Sequence, residues 1–230
     1  MPGIGLLNEK PLHASLKQWY ARPGDRLEVA VDGFVIDIVR DDLLIEIQTR
    51  NFSSIKSKLT DLVRRHQVRL VYPIVQEKWI VRNGKSPMRR KSPKRGRIED
   101  LFWELVSIPQ LLLNPNFSVE VLMIRGEEVR RHGPRRRVLI EGRRLLDVMD
   151  QRSFGQSADW LRFLPDGLEL FTTSDLAGQM NTGLELAQKM AYCLREARMI
   201  ELIGKRGRAN LYRIPSTAWP QMNTEKADQG

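Results

Sequence analysis

The stretch RLEVAVDGFVIDIVRDDLLIEIQTR, Arg26 to Arg50, decides how the rest of the chain is read. Three runs of alternating or apolar residues, Leu27 to Asp32, Phe34 to Arg40 and Leu43 to Thr49, are joined by Asp32-Gly33 and Asp41-Asp42. Asp-Gly between two β-type runs favours a two-residue hairpin because both residues tolerate positive φ, and Asp-Asp is a weaker form of the same signal. The expectation is a three-stranded antiparallel meander. With both turns two residues long, Val31 faces Phe34 and Arg40 faces Leu43, so Glu28, Asp37 and Glu46 come opposite one another across three strands. A longer turn in either place would send Glu28 or Glu46 to a solvated face. Gln48 shares the face of Glu46, because strand side chains alternate with period two. Directly opposed carboxylates repel, and Glu46 is the single charge in the apolar run Leu43 to Ile47, where a buried charge needs a partner. A hard divalent cation with oxygen ligands, Mg²⁺ or Mn²⁺, answers both problems.

Working outward, Glu9 to Ala21 carries Leu12, Leu16, Trp19 and Tyr20 at helical spacing and stops at Arg22-Pro23-Gly24. After the meander, Ser53 or Ser54 can cap a helix through about His66, and Val68 to Val75 reads as a further strand. Ile98 to Leu113 reads as an apolar helix ended by Asn114-Pro115, and Phe117 to Ile124 and Val138 to Ile140 as strands flanking an Arg-rich turn; Leu145 to Asp150 leads on into a polar segment. The C-terminal part has its own pattern. Trp160 to Leu164 is short and apolar, Asp175 to Met180 is a capped short helix, and Leu184 to Arg198 is an amphipathic helix. Two strands, Met199 to Ile203 and Leu211 to Ile214, flank the basic loop Gly204 to Asn210, and a polar tail begins at Ser216.

Of the 230 residues, 38 are Lys or Arg and 28 are Asp or Glu, for a formal charge of +10; hydrophobic residues make up 41%, too many for general disorder. The excess charge sits in one stretch, 81–97, where Arg82, Lys85, Arg89, Arg90, Lys91, Lys94, Arg95 and Arg97 lie among Pro, Gly and Ser. Such composition reads as a mobile loop that repels itself until a polyanion neutralises it, with a plain solvated linker or a localisation tract as alternatives. A second cluster, Arg130, Arg131, Arg135, Arg136 and Arg137, surrounds His132-Gly133-Pro134 and is weakened by Glu127, Glu128 and Glu141. No apolar run approaches the ~18 residues a membrane span needs. The single cysteine, Cys193, excludes an internal disulfide and a cysteine-built zinc site, so a cytoplasmic, reducing location is expected. The three histidines, His13, His66 and His132, show no ligand spacing.

Helix, meander, helix and strand, with Asp37, eight residues, then Glu46-Ile47-Gln48, resemble the PD-(D/E)xK phosphodiesterase superfamily, which includes restriction enzymes and Holliday-junction resolvases. The resemblance covers about residues 5 to 80. It implies an α/β fold with a restriction-endonuclease-like mixed sheet flanked by helices, and metal-dependent cleavage of DNA phosphodiester bonds, with Asp37 and Glu46 holding one or two Mg²⁺ ions. Glu28 or Glu9 would complete the shell, and Glu9 occupies the place of an assisting acidic residue on the first helix. Ile36 stands where the family often has Pro. Gln48 replaces the motif lysine that positions or activates the attacking water; Gln can orient water but carries no charge. The family also uses a lysine from the following helix, for which Lys56 or Lys58 is available.

The C-terminal pattern resembles a winged helix-turn-helix domain over about residues 157 to 214. That resemblance places Leu184, Ala187, Ala191 and Leu194 in the core, directs Gln188, Lys189, Tyr192 and Arg195 to the major groove, and makes Lys205, Arg206, Arg208 and Asn210 the wing. The expected organisation is a nuclease-like domain over 1–150 with the basic loop 81–97, a winged-helix domain over 151–215, and the tail 216–230. In the basic loop, Arg89, Arg90, Lys91, Lys94 and Arg95 are expected to touch DNA. DNA is the expected partner and no membrane is; a homodimer is left open. Three readings compete: a Mg²⁺-dependent endonuclease, a DNA-binding regulator on an inactive nuclease scaffold, and an adaptor whose winged helix binds protein.

Overall fold

Asp32 and Gly33 both take positive φ, 48° and 82°, as a tight two-residue hairpin between right-twisted strands requires. In the computed structural model, which describes residues 11–82, 87–133 and 137–215, this turn joins β1 (Arg26–Val31) to β2 (Phe34–Arg40) in the expected register, Val31 against Phe34 and Leu27 against Ile38. Glu9, Lys85, Arg135, Arg136, the His132 side chain and the tail 216–230 lie outside the described residues. The second turn sets β2 against β3 (Leu43–Ile47), with Arg40 facing Leu43 and Ile38 facing Ile45.

A crossover through a short 3₁₀ turn and α2 (Lys56–Leu62) lays β4 (Gln67–Arg82) parallel to β3. A second crossover, which holds α3 (Phe102–Leu105), lays β6 (Phe117–His132) parallel to β4, and β7 (Val138–Phe154) returns antiparallel to β6. The sheet order is β1-β2-β3-β4-β6-β7, with β5 (Met88–Lys91) paired to the distal half of β4. This is an α/β protein with a mixed sheet flanked by helices.

Each face of the sheet has its own core. On one, Leu12, Leu16 and Tyr20 of α1 (Pro11–Tyr20) pack on Ile38, Ile45, Ile47, Val71, Leu122 and Ile124. On the other, Leu44, Leu70, Val119 and Val121 meet Phe52, Leu59, Phe102 and Leu105. The second core runs without a break into the C-terminal elements, α4 (Ser157–Leu161), β8 (Leu170–Phe171), α5 (Thr173–Gln179), α6 (Leu184–Glu196), β9 (Glu201–Arg206) and β10 (Ala209–Arg213). Phe102 meets Phe163 edge-on at 4.9 Å and Trp160 stacks on Phe154 at 5.3 Å. Arg97 donates to the carbonyls of Met180 and Asn181 at the end of α5, so the two parts of the chain are joined by polar as well as apolar contacts.

Several expectations change. The described parts of the basic stretch, 81–82 and 87–97, are not a free loop: β5 pairs with β4, Lys91 meets Glu77 at 2.8 Å, and Arg89 meets Glu127 at 3.1 Å while lying over the Trp79 ring. Carboxylates on β4 and β6 neutralise the repulsion that composition alone implies. The expected helix 98–113 is broken into a 3₁₀ turn, α3 and a second 3₁₀ turn beginning at Pro109, which cannot donate inside a helix. Strands β4, β6 and β7 continue well past their apolar segments. Neither serine caps α2; Asn51, at φ 61°, opens the 3₁₀ turn before it. Leu184 is 47% exposed, and Leu186 and Met190 take the core positions with Ala187, Ala191 and Leu194. The short strand β8 had no local pattern to announce it.

Candidate active site

The β2–β3 ladder stops at Ile38–Ile45, one residue short of Asp37 and Glu46. Beyond that point the Asp37 carboxylate replaces a backbone partner: its Oδ2 accepts the Ile47 N–H at 2.9 Å. On the other side, Glu28 sits at φ 53°, outside the strand region, and does not pair although its neighbours keep register. The strands therefore part where the three carboxylates were expected to line up. Glu28, Asp37, Glu46 and Gln48 share one open cleft of ≈ 560 Å³ with His13, Lys17 and Lys58.

Each carboxylate meets a different basic side chain. His13 Nε2 lies 3.2 Å from Asp37, Lys17 Nζ 2.7 Å from Glu28, and Lys58 Nζ 2.5 Å from Glu46. His13 and Lys17 are four apart on α1, so one turn of helix brings both to the cleft. Lys58 comes from α2 and also donates to the Val35 carbonyl at 2.6 Å. Its contact with Glu46 is one of charge, and Glu46 Oε1 is buried without an aligned hydrogen-bond donor. Gln48 donates its side-chain amide to the Arg50 carbonyl at 2.7 Å, which fixes the loop that follows β3.

The two central carboxyls are driven apart. Burial pulls Asp37 upward, but the His13 hydrogen bond and charge, the Ile47 N–H and the Lys17 charge outweigh it, and its pKa falls below the ordinary carboxylate value. Glu46 is pushed up to about 7 by burial and by the charge of Asp37, against the pull of Lys58. Near neutrality Asp37 stays ionised beside Glu46, which exchanges a proton.

Among the described residues, no group of three or more His, Cys, Asp or Glu side chains is gathered as a metal site. Asp37 and Glu46 remain a fitting pair for a hard ion: the donors are carboxylate oxygens, and the buried Glu46 Oε1 meets the Lys58 ammonium without an aligned hydrogen bond. Glu28 is held by Lys17. Sequence reasoning named Lys58 as available but assigned nothing to His13 or Lys17; their i, i+4 spacing was visible, their partners were not.

The expected DNA contacts divide in the same way. Gln188, Tyr192, Lys205 and Arg208 are exposed. Lys189 lies over the Trp103 ring and near Glu185, Arg195 binds Glu196, and Arg206 binds Asp175. Arg90, Lys94 and Arg95 are exposed, whereas Arg89 and Lys91 are engaged in the ion pairs of the β4–β5 hairpin.

An uncharacterized protein of Treponema pallidum (strain Nichols) is 31% identical over 220 residues, which is 91% of this chain and 87% of that relative. No solved structure matches the chain. The family described as "Domain of unknown function (DUF8091)" matches residues 10–155, a span that holds α1, the whole large sheet and every cleft residue and ends just before α4. The chain belongs to that DUF8091 family.

Proposed function

We propose that the chain is a metal-dependent phosphodiesterase acting on DNA, built on a restriction-endonuclease-like core of the PD-(D/E)xK kind and a C-terminal winged helix. The observation that carries the reading is the meeting of Asp37, Glu46, Gln48 and Lys58 in one cleft where the β2–β3 ladder opens. Asp37 and Glu46 are the residues that would hold Mg²⁺ or Mn²⁺. When bound, such an ion polarises a phosphate oxygen and lowers the pKa of water. Lys58, on α2, supplies the positive charge that Gln48 lacks and can turn from Glu46 to a phosphate oxygen or a water. Gln48 keeps the loop after β3 in place, and His13 holds Asp37 ionised and oriented. The helix pair α5–α6 with the β9–β10 hairpin supports the winged-helix reading, with Gln188, Tyr192, Lys205 and Arg208 as its DNA contacts.

A second reading has its own observation. Because every cleft carboxylate already meets a basic side chain, the same architecture suits a DNA-binding scaffold that does not cut. Cleavage of supercoiled and branched DNA, with and without Mg²⁺ or Mn²⁺, separates the two. Wild type should cleave only with metal, and Asp37→Asn and Lys58→Ala should lower the rate by a hundredfold or more, on the order of a lost ligand or a lost electrostatic group. DNA binding without cleavage at any metal concentration would decide for the scaffold.

A further inference from the structure

We propose that a second cavity, beside the acidic cleft, binds the sugar-phosphate backbone of the DNA strand on one side of the phosphate that would react in the Asp37–Glu46 cleft. The proposal takes its ligand class from the reading above, but its site is built from other residues.

The cavity exists because β4 lacks a neighbour for a few residues. On the β3 side its pairing ends at Val71, whose carbonyl accepts the Gln48 N–H, and resumes at Val75, whose carbonyl accepts the Gly96 N–H at 3.0 Å. Backbone groups of one strand point alternately to either side, so Val71, Pro73 and Val75 all face this gap. Pro73, otherwise out of place in a central strand, has its missing N–H where no partner stands. The gap opens into a cavity of ≈ 420 Å³ walled by Lys78, Lys94, Arg95, Arg143 and Arg144.

The basic wall is held in place. Ser92 is buried and donates its N–H to the Lys78 carbonyl at 2.7 Å, and a Cβ on Gly96 would stand 2.7 Å from the Val75 carbonyl oxygen. Lys94 and Arg95 lie between these two anchors, exposed, and neither side chain has a carboxylate or hydrogen-bond partner among the described residues. Three carboxylates share the wall: Glu127 is matched by Arg89, Glu128 by Arg130 at 2.5 Å, Arg143 at 3.4 Å and Lys78 at 3.9 Å, and Asp100 accepts the Arg97 backbone N–H at 2.9 Å. Two cations on a fixed backbone are thus left to meet an anion from outside.

The shape argues for a chain of phosphates. Thr49 lines the acidic cleft, this cavity and a third, smaller one between them, and Arg50 and Arg143 also line that third space. A ligand filling both sites must pass over Thr49 and Arg50 and carry negative charge at each end of the path. A polynucleotide backbone does so; a single small anion fills one site only.

The test is binding of a labelled DNA duplex by the full chain in EDTA over a range of salt concentrations. Lys94→Gln/Arg95→Gln should lower the slope of log affinity against log salt by about 1.5 to 2, the share of two phosphate contacts. Arg64→Gln/Arg162→Gln removes the same charge elsewhere and should leave the slope near that of wild type. An unchanged slope in the first variant, or equal losses in both, would overturn the proposal. Inorganic phosphate tests the remaining source: if it binds wild type but not Lys94→Gln/Arg95→Gln while DNA binding is equal in both, the strand assignment fails. Because no metal is present, a protein that never cuts DNA can still pass this test, and one that cuts can still fail it.

Discussion

Glu46 titrates near neutrality because water has been taken from it and Asp37 stands close by, so that ionisation opposes the fold. Its folded value, about 7, lies above its ordinary 4.5, so between these pH values the folded chain holds a proton that the unfolded chain has lost. Stability of the metal-free protein therefore falls as pH rises through that window and levels off above it. Glu46→Gln should remove this slope and raise stability at pH 8 by an amount on the order of 3 kcal/mol at most, read from urea midpoints across the window. Asp37 has the opposite sign: its lowered pKa contributes stability above its unfolded value and loses it in acid. Glu46 could be found in the sequence because one charge in an apolar strand is an anomaly wherever the strand packs. His13 could not: its partner lies 24 positions away and meets it only after α1 has docked.

Elements obey local rules in their turns and tertiary rules in their lengths. The two-residue hairpins set a register that could be counted from Asp32-Gly33 and Asp41-Asp42, and the structure keeps it. The length of β4 could not be counted, because Gln76, Glu77 and Lys78 end the apolar run while β6 continues to pair with the strand beyond them. The pairing of the basic stretch is illegible locally for the same reason, since its partners Glu77 and Glu127 lie on β4 and β6. Gly96 is the element-scale point of weakness. Gly96→Ala forces a methyl into the Val75 carbonyl and the Ile74 side chain, both closer than 3 Å, and should cost about 1 to 3 kcal/mol in denaturant melts. The same change should weaken the proposed metal-free DNA binding, because Lys94 and Arg95 would lose their fixed backbone.

At the scale of the molecule, Glu120 ties the layers together. It is 1% exposed on β6, between β4 and the edge strand β7, and accepts from Tyr20 at the end of α1 at 2.8 Å and from Arg69 on β4 at 3.0 Å, with Gln151 and Ser153 of β7 completing its shell. Glu120→Ala should cost about 3 kcal/mol, since the cation and the phenol would stay behind without their acceptor. Because α1 also carries His13 and Lys17, the variant should lose the proposed DNA cleavage more steeply than it loses fold. Circular dichroism melts and cleavage rates taken on one preparation check both. Nothing in the primary order of residues 20, 69 and 120 links them; only the two parallel crossovers bring them together.

The β1 and β7 borders of the large sheet are irregular. β1 contains Glu28 at positive φ, and β7 pairs with β6 through three register shifts, each leaving one extra residue, at Glu141, Leu146 and Met149. A border kinked in this way offers no straight run of free N–H and C=O groups to an incoming strand. The chain can thus keep a long, solvent-facing strand carrying Val138, Ile140, Leu146 and Met149 without presenting a template for fibril growth.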